Sequence, residues 1–296
     1  MLITATSLLA LRTSFDASFQ NGFGGVDPAW SKIATEIRSQ TRENTYGWLG
    51  DFPGMRRWVG GRVIKSIAEH GYKIVNEDFE STVGVNRNDI LDDTLGIYGP
   101  MFQELGRAAA AHPDELIFGL LAKGFAEACF DGQNFFDTDH PVVVDGEVTS
   151  VSNMQAGAGT PWFLMDTSRA LKPLIYQNRK GAEFVAKDDP EDENVFHRKE
   201  YVYGVDSRCN VGFGFWQMAF GSKDDLTPEN FGAARASMMS LKNDEGRPLG
   251  VKPTLMVVGP GNGEKAREVI KRERQANGAT NVWQGEVEIL ETPYLS

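Results

Sequence analysis

Reactive residues are scarce in this chain. Of its 296 residues, two are cysteine and four histidine. Cys129 and Cys209 lie far apart, without the spacing of a metal-binding or redox pair, and read as free thiols of a reducing compartment. His70, His112, His140 and His197 are scattered, neither cysteine has a histidine near it, and no Gly-x-Ser-x-Gly elbow occurs. Local signatures of nucleophilic catalysis are therefore missing. No apolar run approaches the ~20 residues that span a bilayer. Leu8-Leu9-Ala10-Leu11 is too short for a signal peptide and follows no basic region. A basic surplus is missing as well: 30 Lys and Arg against 41 Asp and Glu leave a formal net charge of −11, which argues against a primary role in gripping nucleic acid.

What is present describes a globular protein: 41% hydrophobic, 10% aromatic and 24% charged residues, enough for a sizeable core in one or two domains. The most convincing helical spacing runs through Tyr98, Phe102, Leu105, Ala109, Leu116, Leu120 and Leu121, mostly three or four apart. A helix from Pro100 to Ala122 would be ~35 Å long at ~1.5 Å per residue. Pro100 suits its first turn, Lys123 its last, and Gly124 stands just past the end. Pro113 interrupts the pattern at a cost of ~3 kcal/mol, so spacing alone allows one kinked helix or two joined near His112.

Ahead of this stretch, Leu8, Leu11, Phe15 and Phe19 form an apolar helical face behind the candidate cap Ser7. Gly22, Gly24, Gly25 and Pro28 then break the pattern. Such an arm needs its own body or a neighbouring subunit to lie against. Residues 46 to 87 are extended and aromatic-rich, with Tyr46, Trp48, Phe52, Trp58, Tyr72 and Phe79. A turn at His70-Gly71 would join Arg62–Ala68 to Tyr72–Val75 in a hairpin, and Glu80 to Arg87 alternates as a strand does. Beyond the helix, Asp131-Gly132 and Asp145-Gly146 bracket Val142-Val143-Val144. YVYGVD and VGFGFWQMAF are strand candidates, and residues 188 to 193 are an acidic, exposed loop. Leu226 to Leu241 reads as a helix capped by Thr227 with Pro228 at its first position. LMVV is a buried strand, Gly259 to Gly263 a turn, Glu264 to Gln275 a helix, and Asn281 to Leu290 extended.

Two stretches invite a chemical reading. GPGNGEK, residues 259 to 265, sits where a phosphate loop would. Glu264 and Ala266 replace the residues that bind phosphate and magnesium, so a structural turn is the better account. Asp131, Asp137, Asp139 and His140 are oxygen and imidazole donors, but no second group completes a shell, and DTDHP suits a polar turn. These readings leave no catalytic, cofactor or metal residue.

The order of pieces carries more information: arm, hairpin, long helix, mixed body, final strand. NTYGWLGDFP (44–53), RNDILDDTLGIYGPMFQELGRAAA (87–110), PDELIFGLL (113–121), DGQNFFDTDHP (131–141), RALKPLIYQNR (169–179), GFGFWQMA (212–219) and GRPLGVKPTLMVV (246–258) resemble the phage Mu major head subunit (T protein) family, which includes Mu-like prophage capsid proteins. The resemblance runs nearly the whole length. It implies an α+β fold of the Hong Kong 97 phage type, with an N-terminal arm (1–45), an E-loop (46–84), a P-domain with a spine helix (85–125), an A-domain (126–280) and a C-terminal strand returning to the P-domain (281–296). On this reading the spine is one bent helix. The implied function is a major capsid protein whose pentamers and hexamers enclose double-stranded DNA without sequence-specific binding, within a virion assembled in the bacterial host cytoplasm. A separate scaffold, a portal and a decoration protein are the expected partners, with no membrane and no cofactor. The absence of a large segment ahead of the E-loop motivates the separate scaffold. Trp48, Trp58, Tyr72, Phe15 and Phe19 are expected to pack between subunits. The namesake's covalent cross-linking does not carry over: Lys65 and Lys73 lie in the E-loop stretch, but no asparagine partner or catalytic glutamate matches. Other readings are an encapsulin-like compartment shell and a soluble α/β nucleotide-binding enzyme.

Overall fold

Helical spacing on both sides of Pro113 belongs to a single element in the computed structural model. The helix runs unbroken for 26 residues, Tyr98–Lys123, with Pro113 inside it and Gly124 at its C-cap. Its buried face comprises Phe102, Leu105, Gly106, Ala110, Asp114, Ile117, Phe118 and Leu121, a regular stripe that crosses the proline without a phase change. Burial of Phe102, Ile117, Phe118 and Leu121, each worth ~1.5–3 kcal/mol, offsets the ~3 kcal/mol penalty of an interior proline. Beyond Pro113 the stripe is centred on Ile117 and Phe118, while Leu116 and Leu120 are only half-buried.

The structure describes residues 5–47, 49, 71–92, 96–144, 147–243, 246–275 and 278–295. In chain order these form α1 (Ala5–Gly24), β1 (Ala34–Arg38), β2 (Glu43–Thr45), β3 (Lys73–Val75), β4 (Glu77–Asn86), α2 (Arg87–Asp92) and the long helix α3 (Tyr98–Lys123). There follow β5 (His140–Val144), β6 (Glu147–Val151), β7 (Met154–Gln155), β8 (Trp162–Met165), β9 (Leu174–Lys187), α4 (Glu193–Arg198) and β10 (Glu200–Phe213). The last elements are β11 (Ala219–Ser222), α5 (Pro228–Met239), β12 (Leu255–Val258), α6 (Gly263–Ile270) and β13 (Glu288–Glu291).

Two sheets organise them. One has the order β1-β9-β10-β4, with a long antiparallel β9–β10 pair and α1 and α3 packed on one face. The other has the order β13-β12-β8-β11-β7 and carries α5 and α6 on one side, around Trp162, Phe231, Met256 and Ile270. Its opposite side meets the C-terminal half of α3 and the 125–136 segment, through Phe118, Leu121, Phe135, Phe136 and Phe163. β2–β3 and β5–β6 are separate two-stranded pairs.

Several expectations need correction. The arm lies on its own body: Phe15 and Phe19 are buried against Phe102, Phe184 and Tyr203 of the same chain, so they are not free to pack between subunits. Ser7 sits inside α1, which begins at Ala5 and so passes the expected cap. Gly22 does not break α1. A Cβ there would collide with the Gln103 backbone of α3, and one at Gly106 would collide with the Phe19 carbonyl, so the two glycines let the helices cross at close range. VGFGFWQMAF divides between the end of β10, a 3₁₀ turn at Trp216–Met218 and β11, because the Gly214 N–H turns to the Pro173 carbonyl. The acidic loop is not wholly exposed: Asp188 is buried and accepts a bond from the Tyr203 hydroxyl. α6 stops at Ile270, and residues 274 and 280 form a bridge beyond it. The final strand joins the second sheet while sharing a core with the long helix, through Leu290, Leu295, Ile117, Phe118 and Leu121. β13 pairs in parallel with β12, and the tail beyond it reaches α3, where Tyr294 stacks on Phe118. The Arg62–Ala68 strand and its turn residue His70 lie outside the described residues, as do Trp48 and Trp58.

Candidate functional site

For a chain without reactive motifs, function depends on what the fold holds rigid and what it presents. The first such place is the β2–β3 pair. β2 and β3 pair antiparallel, Glu43 opposite Val75 and Thr45 opposite Lys73, and the Tyr46 N–H donates to the Tyr72 carbonyl at 2.8 Å. Beneath them Gln177, fully buried on β9, accepts from the Tyr46 hydroxyl at 2.7 Å and donates to the Ile74 carbonyl and to Asn76 Oδ1. Asn76 in turn donates to Ser39 Oγ and the Thr41 carbonyl. Tyr72 is also spent within the subunit: its hydroxyl accepts the Phe213 N–H at 2.8 Å, and burial pushes its pKa up to about 12. The side chain is half-buried against its own chain. A buried, saturated network of this kind fixes one geometry for the departing and returning strands.

A second anchor ties the arm's exit to the spine. Asp114, one residue after Pro113, accepts the N–H groups of Trp30 and Ala29 at 2.6 and 3.2 Å. Burial raises its carboxyl pKa and these bonds lower it, with a net rise.

The third is the root of the β5–β6 hairpin. His140 is fully buried and stacks on Trp216 with ring centroids 3.9 Å apart. Its Nδ1 faces Asp131 Oδ2 at 2.7 Å, its Nε2 faces Asn153 Oδ1 at 3.2 Å, and Cys129 Sγ donates to Asp131 Oδ1 at 3.0 Å. Asn153 Nδ2 donates to the Phe135 carbonyl at 2.8 Å. Burial raises the Asp131 pKa, but the bonds from His140 and Cys129 outweigh it and leave the carboxyl below its ordinary value. Burial and the bond to Asp131 push the Cys129 thiol well up, the reverse of what a nucleophile needs.

Cys129, Asp131 and His140 are the group among the described residues whose donor atoms lie close enough to share a metal, all within 4.8 Å of one another. Their spacing is that of hydrogen bonds. Oxygen and nitrogen ligands ~2.0–2.1 Å from one tetrahedral zinc stand about 3.3 Å apart, well beyond the 2.7 Å seen here, and no fourth donor among the described residues closes a structural site. Asp137 and Asp139, the other candidates from the motif, stay outside the cluster. Asp137 accepts the Thr138 and Asn134 N–H groups, and Asp139 is exposed. Cys129 was not singled out as a partner of His140 in the sequence. Its proximity arises because the Asp131-Gly132 turn folds residues 129 and 134 into a bridge.

The 259–263 turn is unsuited to phosphate. A Cβ on Gly263 would meet the Glu291 carboxylate and one on Gly259 the Leu295 carbonyl, so the C-terminal segment packs tightly on this turn and brings a negative charge to it, which disfavours an anion. Arg267 pairs with Glu291 and Lys265 with Asp225. No nucleotide site forms there.

A spine helix clamped by its own arm, a rigidly held β2–β3 pair and buried thiols are structural rather than catalytic features. Solved structures agree. The chain is similar to the subunit in the procapsid of bacteriophage JBD30 (TM-score 0.88, 52% identity, 99% of this chain and 100% of that one). It is also similar to the JBD30 capsid subunit (TM-score 0.80, 39% identity, 100% of both chains). The class is therefore that of phage major capsid proteins, with the α+β Hong Kong 97-type fold. Within it, the chain belongs to the Mu-like prophage major head subunit gpT family, whose model matches residues 8–295. Relatives include the major capsid protein of Escherichia phage Mu, 45% identical over 100% of both chains, and the Mu-like prophage FluMu major head subunit of Haemophilus influenzae, 42% identical over 95% of this chain and 94% of the relative. Its role is that of a Mu-like phage capsid component, not an enzyme.

Proposed function

We propose that copies of this chain assemble as pentamers and hexamers into an icosahedral shell that encloses double-stranded DNA, in a virion built in the bacterial host cytoplasm. The observation that carries this reading is full-length likeness to the subunit of both a procapsid and a capsid. The acidic balance supports a lumen with weak or repulsive walls, since many phosphate contacts would hinder packaging. Residues 46–84 act as the E-loop, 85–125 as the P-domain spine, and 126–280 as the A-domain, to which the 281–296 segment adds β13. Trp48 and Trp58, in the E-loop stretch of the sequence, pack against neighbouring copies, where burial removes apolar area from water at ~25 cal/mol per Å². A separate scaffold and a portal complete the assembly. Minor capsid protein trimers decorate the JBD30 capsid, and an analogous decoration protein fits this shell.

Negative-stain microscopy of the purified full-length protein tests the reading. Rings or curved shells are expected, and a monomer at every concentration refutes it. Encapsulated cargo protein in place of DNA and a portal would indicate a cellular compartment instead. Trp58→Ala is expected to lower particle yield and thermal stability, and unchanged values remove that residue from the contact.

A further inference from the structure

The arm meets the body at two carboxylates. Along its length α1 lays Phe15 and Phe19 over Phe102, Phe184 and Tyr203. It leaves the body through Gly24, where an added carbon would meet nothing within 4 Å. At this exit Asp114 of α3 accepts the Trp30 and Ala29 N–H groups at 2.6 and 3.2 Å, and the Trp30 ring packs on Tyr176. Nearer the start of the arm, Asp188 accepts the Tyr203 hydroxyl at 3.3 Å, and the Tyr203 ring packs edge-to-face with Phe15. The arm thus supplies cover at both places, Ala29 and Trp30 at Asp114, Arg12 and Phe15 on the Tyr203 side of Asp188.

With the arm in place the two side chains are buried, 7% and 9% exposed. The charged groups around them give little relief. Asp27 opposes the ionised form of Asp114, and Glu115 and Tyr294 share its surroundings. Arg12 of α1 favours the ionised form of Asp188 while Asp192 opposes it, with Tyr201 and Tyr203 beside it on β10. At both sites burial is the largest effect, and each carboxyl pKa stands above its ordinary 3.8. A carboxyl raised in this way binds its proton more tightly under the arm than in water. Its contribution to docking is absent at high pH and is gained as pH falls through the docked value towards 3.8.

We infer that the arm is a proton-coupled clasp: α1 and its exit close on the body more firmly when Asp114 and Asp188 take up protons, and open more readily when both are ionised. Leu8, Phe15 and Phe19 supply apolar burial at any pH. The two carboxylates set how much of that attachment is offset by charge left under cover. Opening bares Phe102, Phe184 and Tyr203, an aromatic face on the spine and sheet that the closed arm hides. The device belongs to the single subunit and does not depend on how copies assemble.

Hydrogen exchange of the full-length, unassembled subunit in dilute solution tests the clasp, read on peptides within residues 5–33 and expressed as protection relative to the intrinsic rate at each pH. Protection of the wild-type arm is expected to rise about threefold or more between about pH 7.5 and about pH 4.5. Asp114→Asn combined with Asp188→Asn holds both sites uncharged, and is expected to raise protection at the higher pH and flatten the profile. His112 acts in the opposite sense beside Phe79 of β4, so the reading is taken on the arm and not on whole-chain melting. Should the double variant lose its native circular dichroism, the two single variants make the same comparison, each keeping part of the slope. Wild-type arm protection that is flat or falls with acid, or variants that keep the full wild-type slope, overturn the clasp.

Discussion

Gly106→Ala, on the buried face of α3, should destabilise the subunit, although helix propensity predicts the opposite. In an open helix interior the exchange gains ~1 kcal/mol, because glycine loses more backbone entropy on folding. At Gly106 the added carbon would stand 2.9 Å from the Phe23 nitrogen of α1 and closer still to the Phe19 carbonyl oxygen. Both obstacles are backbone, so no rotamer change relieves them and α1 must withdraw as a unit. Overpacking of this kind costs ~1–3 kcal/mol. Withdrawal also loosens Phe15 and Phe19, whose full burial is worth ~1.5–3 kcal/mol each. After subtracting the propensity gain, a net loss of about 2–3 kcal/mol remains, or roughly 4–10 °C in Tm for a chain of this size. Gly119 supplies the control. It lies in the same helix with nothing within 4 Å of its added carbon, so Gly119→Ala should stabilise by ~1 kcal/mol. Urea denaturation of the unassembled subunit, followed by tryptophan fluorescence, measures both. Equal stabilisation by the two substitutions refutes the close crossing of α1 and α3.

Three further outcomes follow from the buried groups. Gln177→Leu removes bonds to Tyr46, Ile74 and Asn76 together and is expected to cost about 2–4 kcal/mol in the same assay; a loss below about 1 kcal/mol would show that the β2–β3 pair does not depend on it. Cys129 and Cys209 are buried with raised pKa, so maleimide should label the native subunit far more slowly than the denatured one, and equal rates would contradict their burial. Burial lowers the pKa of His112, which packs edge-on against Phe79 at 4.4 Å, while Glu115 pulls it back only in part. A depressed histidine pKa contributes stability that is present above the ordinary value of 6.5 and lost as pH falls through the folded value. Melting temperature should therefore drop from pH 7 towards pH 5, and His112→Phe should flatten that slope; an unchanged slope assigns the pH dependence to other groups.

Local chemistry was sufficient for some elements. Thr227 and Pro228 mark the start of α5 because a side-chain oxygen and a missing N–H suit that position whatever surrounds it, and Thr227 does accept the Asn230 N–H. LMVV reads as a buried strand and is one, since four consecutive apolar residues need cover on both faces. Periodicity likewise locates the long helix. Its continuity through Pro113 was beyond local reach, because the compensating burial of Ile117, Phe118 and Leu121 comes from a sheet whose strands lie far along the chain. The same holds for Gly22, a breaker by propensity and a contact point in the fold, and for Phe15 and Phe19, whose cover is α3 and β10 rather than a neighbour. The sequence by itself determined where the long helix, the start of α5 and the LMVV strand fall, and that no local stretch carries a reactive motif. Only the tertiary structure decided which apolar faces are already covered and which carboxylates are buried. Burial and electrostatic pairing depend on groups brought together through space, and residue order alone does not fix those distances.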